Sequence, residues 1–125
     1  PMFAPAHEME GADLIVVAAP YWDLGFPAQL KTYIENIYVT GIVSAYNDHG
    51  QPCGLCRARS LTYITTAGGA YDPRFSFDYL TAMAKEYFGI RETRLIYAEC
   101  LNICGNDPEA ILQSAIDQIE RSADR

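Results

Sequence analysis

At 125 residues the chain has the length of one domain, and its hydrophobic share of 50% supports a sizeable core and argues against disorder. A net charge of −7 disfavours nucleic acid or an anionic membrane surface as a partner. No apolar run approaches the roughly 18 residues that span a bilayer, so no membrane partner is expected.

The chain opens at Pro1 with no basic segment followed by an apolar stretch, so no secretory signal is expected. A short helix is predicted over about Met2 to Glu10. The first strand is predicted at Asp13–Ala19, "DLIVVAA", apolar on both faces as in a parallel sheet covered by helices on both sides. Pro27 starts a helix that runs to about Val39, with Leu30, Tyr33, Ile34 and Ile37 on one face. Gly41 to Arg59 is the longest connection. Its short extended runs around "NDHGQP" predict a small hairpin excursion, and a plain surface loop is the alternative.

Two more strands are predicted at Ser60–Thr66 and Thr93–Glu99, more mixed in composition and so placed nearer an edge. Phe75 to Phe88 reads as a helix with Tyr79, Met83 and Tyr87 on one side. A last helix begins in "GNDPEAILQSAIDQIE", capped by Asn106 or Asp107, with Ile111, Ala115, Ile116 and Ile119 as its apolar stripe. Strands alternating with helices predict an α/β fold with a parallel sheet and right-handed crossovers. Four cysteines, Cys53, Cys56, Cys100 and Cys104, suit a reducing compartment, and a cytoplasmic location is expected. "CGLC" follows a loop and lacks a second pair at knuckle spacing, so neither a metal site nor a redox pair is expected.

Open α/β sheets bind ligands at the carboxyl ends of their strands. "PYWDLGFP" follows the first strand and "TTAGGAY" the second. With the two strands adjacent, one loop brings the aromatics Tyr21 and Trp22. The other brings Gly68 and Gly69, where backbone amides can approach a ligand closely, and the hydroxyls of Thr65 and Thr66. A planar ligand with a hydrogen-bonding rim fits such a crevice. The plainer alternative is that the aromatics cap the core and the glycine pair only turns the chain.

At these residues a family likeness becomes specific. "ADLIVVAAPYWDLGFPAQLKTYIENI" resembles the strand, loop and helix of the flavodoxin-like, FMN-dependent NAD(P)H:quinone reductases and azoreductases. "YITTAGGAY" is similar to their second flavin loop, and "GIVSAYNDHGQPCGL" to their hairpin excursion, which in the family reaches over the active site near a dimer partner. The resemblance implies a flavodoxin-like three-layer fold holding FMN. NAD(P)H would deliver a hydride to the flavin, and two electrons would pass on to a small-molecule acceptor, a quinone, an azo compound or similar.

It further implies that Pro20, Tyr21, Trp22, Asp23 and Leu24 border the flavin ring, and that Thr66, Ala67, Gly68 and Gly69 serve its pyrimidine end. Tyr71 would be the catalytic hydrogen-bond donor to the acceptor, and the chain would form a homodimer. Ala67 stands where many azoreductases carry arginine, and Asp23 where many relatives carry asparagine. No residue matches the family's first strand, its Ser/Thr-rich phosphate loop or its second strand. The chain therefore resembles the carboxyl-terminal two-thirds of that fold, three strands of five, as one domain over residues 1–125 with a hairpin at about 41–59. Two other readings remain: a flavodoxin-like electron carrier or binding module without enzymatic activity, and an inactive structural fragment.

Overall fold

The computed structural model describes residues 1–123; residues 124 and 125 of the expected domain lie outside the described residues. The elements are α1 (Ala4–Gly11), β1 (Leu14–Ala18), α2 (Ala28–Ile37), β2 (Ser44–Tyr46), β3 (Pro52–Gly54), β4 (Ser60–Thr66), α3 (Phe77–Ala82), β5 (Glu92–Ala98) and α4 (Pro108–Ala123). The α3 helix continues without a break into a π-helical turn at Met83–Phe88.

Three strands form a parallel sheet in the order β1-β4-β5, with Leu14 opposite Ser60 and Ser60 opposite Glu92. Two successive right-handed crossovers in the same direction put their helices on one face of the sheet. That face carries the main core. Leu61 and Tyr63 of β4 pack there with Ile34 and Ile37 of α2, Leu80 of α3, and Ala84, Phe88 and Ile90. The chain then crosses under β5. On the second face Ile96 and Ala98 pack against Ala115 of α4, with Ile64, Leu101 and Ile111 alongside. Helices thus lie on both sides of the sheet.

The structure corrects the expected rank of the strands. β4, the most mixed in sequence, is central and pairs on both sides. β1, the most apolar, has β4 as its one described neighbour. Its second face is open, with Leu14 56% and Val16 64% exposed, whereas Ile15 and Val17 face the core. The hydroxyl-bearing residues of β4 misled the pattern, since Ser60 and Thr65 are buried.

The helical stripes are corrected too. Tyr33 of α2 is exposed, as are Ile116 and Ile119 of α4. α4 covers the β5 side of the second face only, and Ile119 borders a groove of about 540 Å³ lined by Leu14, Val16, Thr62, Ile64 and Ile96. Asp107 caps α4, its carboxylate accepting from the amides of Glu109 at 3.1 Å and Ala110 at 3.3 Å. The segment between α2 and β4 forms an antiparallel hairpin, with Ser44 opposite Gly54 and Tyr46 opposite Pro52. Its turn is held by the Asn47 side chain, which accepts from the amides of His49 at 2.9 Å and Gln51 at 3.0 Å. His49 is an exposed residue of that turn, and among the described residues no helix is long and apolar enough to cross a membrane.

Candidate functional site

The carboxyl ends of β1, β4 and β5 bring three loops together. The first runs from Ala19 to Gly25. Trp22 and Gly25 exchange two backbone hydrogen bonds, at 3.1 and 2.9 Å, which closes a tight turn. The two residues at its tip, Asp23 and Leu24, both sit at positive φ, 51° and 71°. For side chains with a Cβ this is sparsely populated backbone, and such strain clusters at functional sites. The turn leaves the Asp23 and Leu24 amides without a protein acceptor among the described residues. Trp22 is 57% exposed and Leu24 is exposed beside it, so neither caps the core.

The second loop, Ala67 to Tyr71, is joined to the first by backbone and by rings. The Tyr21 amide donates to the Thr66 carbonyl at 3.1 Å. The Tyr21 and Tyr71 rings meet edge to face at 5.0 Å between centroids and 79° between planes. Tyr71 packs on Tyr97 as well, and its hydroxyl lies 2.7 Å from the buried Ser76 hydroxyl, where either can donate. Burial pushes the Tyr71 phenol above its ordinary pKa of 10, so the group is protonated at neutral pH. Thr66 is exposed at the strand end. Thr65, expected to serve the crevice, is 2% exposed and points into the core with no hydrogen-bond partner among the described residues. The pleat decides this: neighbouring residues of one strand face opposite sides.

The third loop, Glu99 to Asp107, carries no motif that marks it in the sequence. Applying the strand-end rule to all three strands, rather than to two, would have found it. Its backbone lies along the second loop. Cys100, Leu101 and Asn102 donate to the carbonyls of Gly69 at 2.8 Å, Ala67 at 3.2 Å and Gly68 at 2.9 Å. The amides of Gly68, Gly69 and Ala70 have no protein acceptor among the described residues. Gly68 packs against the exposed Asn102 side chain, whose nitrogen a Cβ at this position would approach to 2.6 Å, so a larger residue would have to push that side chain aside.

The sequence-predicted residues Pro20, Tyr21, Trp22, Asp23, Leu24, Thr66, Ala67, Gly68, Gly69 and Tyr71 therefore converge on one end of the sheet. Ala67 is buried, its amide donates to Ala98 at 2.8 Å and its carbonyl accepts from Leu101, so it anchors the loop. Beside the first loop a cavity of about 450 Å³ is lined by Gly25, Phe26, Lys31, Arg74, Phe75, Asp78 and Tyr79. The larger groove on the open sheet face lies away from these loops, and its exposed apolar walls mark uncovered sheet. All four cysteines are free thiols, with Cys56 buried and Cys53 exposed.

The model of the family described as having a flavodoxin-like fold matches residues 3–123. The chain belongs to that family. It is 37% identical over 123 residues to an FMN-dependent NADH:quinone oxidoreductase 2 of Clostridium acetobutylicum, covering 94% of this chain and 61% of that one. It is 37% identical over 130 residues to an FMN-dependent NADH:quinone oxidoreductase of Caldicellulosiruptor saccharolyticus, covering 100% and 64%. Among solved structures, an FMN-dependent NADH-azoreductase from Bacillus anthracis in complex with FMN superposes with a TM-score of 0.79 at 28% identity, over 91% of this chain and 56% of that chain. The azoreductase AzrA superposes with a TM-score of 0.82 at 25% identity, over 95% and 59%. The chain thus spans less than two thirds of the length of these relatives.

Proposed function

We propose that this flavodoxin-like chain supplies the ring-binding part of an FMN-dependent oxidoreductase that moves a hydride from NAD(P)H, through the flavin, to a quinone, azo or similar small-molecule acceptor. The observation that carries the proposal is the donor set at the strand ends. Five backbone amides, of Asp23, Leu24, Gly68, Gly69 and Ala70, are without protein acceptors among the described residues. They sit on two loops that Tyr21 and Tyr71 hold together. A planar ring with acceptor atoms on its rim suits such a set, and fixed amide dipoles favour negative charge that gathers there. The relatives' names and the FMN-bound azoreductase add support.

When bound, the flavin supplies the hydride chemistry. The chain's residues position it. Pro20, Tyr21, Trp22, Asp23 and Leu24 border the ring, and the exposed Trp22 and Leu24 side chains keep water from one side. Thr66, Ala67, Gly68 and Gly69 form the backbone shelf for the pyrimidine end. Tyr71 is the donor to the acceptor. Its hydroxyl lies 2.7 Å from the buried Ser76 hydroxyl, and a Ser76 that donates into the Tyr71 oxygen leaves the phenolic proton for another acceptor. Homodimerisation belongs to the same proposal, with Tyr46 on the hairpin exposed for a second copy.

Trp22 is the only tryptophan, so its emission reports directly on the first loop. FMN is titrated against these 125 residues and, in parallel, against the protein with whatever residues precede Pro1 in its natural reading frame. Quenching of Trp22 and retained yellow colour after desalting, followed by quinone-dependent NADH oxidation, are expected. Unquenched emission and a colourless protein in both forms overturn the proposal.

A further inference from the structure

Glu99 directly follows β5 and is half-buried at the back of the second loop. One of its carboxylate oxygens accepts from the Tyr71 amide at 2.7 Å, a short bond of the charge-assisted kind. The Tyr71 side chain is fixed separately, by the Tyr21 and Tyr97 rings and the Ser76 hydroxyl, and the rest of the loop main chain is held backbone to backbone. Ala67 donates to Ala98, and Cys100, Leu101 and Asn102 donate into the loop carbonyls. These bonds hold Ala67 to Gly69 but reach no further. Ala70 and Tyr71 have one described backbone tether, and it is the Glu99 side chain.

The third loop is itself under constraint. Cys100 sits at a φ of 60°, and its carbonyl accepts from the Asn106 side chain at 2.9 Å. A Cβ-bearing residue in this region is unfavourable unless its surroundings hold it. The constrained turn starts the residue after Glu99, and so sets the direction from which the carboxylate meets the Tyr71 amide.

We propose that Glu99 is a positioning residue of the site: its carboxylate clamps the Tyr71 amide and so aims the free amides of Gly68, Gly69 and Ala70 at the ligand. The inference rests on the flavin reading above. Glu99 needs no contact with the ring for this role. Without the clamp, the loop segment from Gly69 to Tyr71 gains freedom that binding must then remove, and affinity falls. A glutamine keeps an acceptor oxygen in the same place, whereas alanine removes it.

The test compares Glu99→Ala, Glu99→Gln and the unsubstituted chain in two measurements. The first is FMN affinity by Trp22 quenching. Glu99→Ala is expected to weaken binding about tenfold, the loss of roughly one charged hydrogen bond, while Glu99→Gln stays within about twofold. The second is amide hydrogen exchange without FMN, where Glu99→Ala should lose protection at Tyr71 and Glu99→Gln should keep it. Equal affinity in all three proteins overturns the proposal. So does equal weakening in both variants, which would assign the effect to charge rather than position. The three proteins are compared in whichever of the two forms above binds FMN; if neither form does, the flavin reading falls and the Glu99 role toward FMN with it, whereas loss of Tyr71 protection in Glu99→Ala separately shows that the clamp exists.

Discussion

At the scale of single residues, two tyrosines and one thiol carry most of the consequences. Tyr71 is held at both ends, by Glu99 at its amide and by Ser76 at its hydroxyl. In the proposed role of donor to the acceptor, Tyr71 should show its effect in one half of the reaction. Tyr71→Phe is expected to lower acceptor turnover by about tenfold, at the low end for a positioned proton donor, while flavin reduction by NADH is unchanged. Stopped-flow measurement of the two halves checks this, and an equal loss in both would assign Tyr71 to binding instead. Cys56 illustrates a purely structural titration. Burial raises its thiol from the ordinary 9 to about 11, and Tyr63 and Tyr71 are raised for the same reason. Each neutral form is favoured by folding, so the native state holds more protons than the unfolded chain between the two values. Stability is therefore fully present below pH 9 and is lost as pH rises towards about 11. Urea midpoints measured across that window should fall, and Cys56→Ala should flatten the fall. The motif residues Pro20 to Leu24 and Thr66 to Gly69 were legible because their types match a recognisable pattern. Glu99 was not, since a single glutamate after a strand has no pattern of its own.

Among the elements, the hairpin depends on one glycine contact. Gly54 of β3 packs so closely against the end of the π-helical turn that a Cβ would lie 1.9 Å from the Gly89 nitrogen. Gly89 turns back at a φ of 78°, and the Phe88 carbonyl accepts from the Cys56 amide at 3.1 Å. Backbone meets backbone here, so no side chain can yield. Gly54→Ala is expected to cost about 3 kcal/mol or more, because the hairpin must lift from its seat. A thermal melt unchanged from the parent protein would contradict this. The same change should disturb the contact of Tyr38 with Tyr46, whose hydroxyls are 3.4 Å apart. The hairpin itself was readable from its turn residues. Its seat was not, because the π-turn arises from packing and leaves no mark in the apolar spacing: Leu80, Ala84 and Phe88 are buried at ordinary helical intervals.

At the scale of the whole molecule, the sheet is covered unevenly. One face is filled by α2, α3 and the hairpin, whereas the second is covered by α4 on the β5 side and is open at β1. An exposed apolar face beside an unpaired parallel edge promotes association. The isolated 125 residues are expected to self-associate, and Val16→Lys should reduce this without lowering the melting temperature, since Val16 lies outside the core. Light scattering against concentration measures the first effect and calorimetry the second; an unchanged scattering curve would mean that the open face is inert. The sequence by itself determined the alternation of strand and helix, the hairpin turn, the cap of α4 and the two loop motifs at the strand ends, because each depends on neighbours a few residues apart. Only the tertiary structure decided that β4 is central, that Thr65 turns inward while Thr66 turns out, that Cys100 to Asn102 back the second loop, and that Glu99 holds Tyr71. Those facts depend on which strands pair and which faces meet, and contacts between residues 28 or more apart, such as Tyr71 with Glu99, leave no periodic trace along the chain.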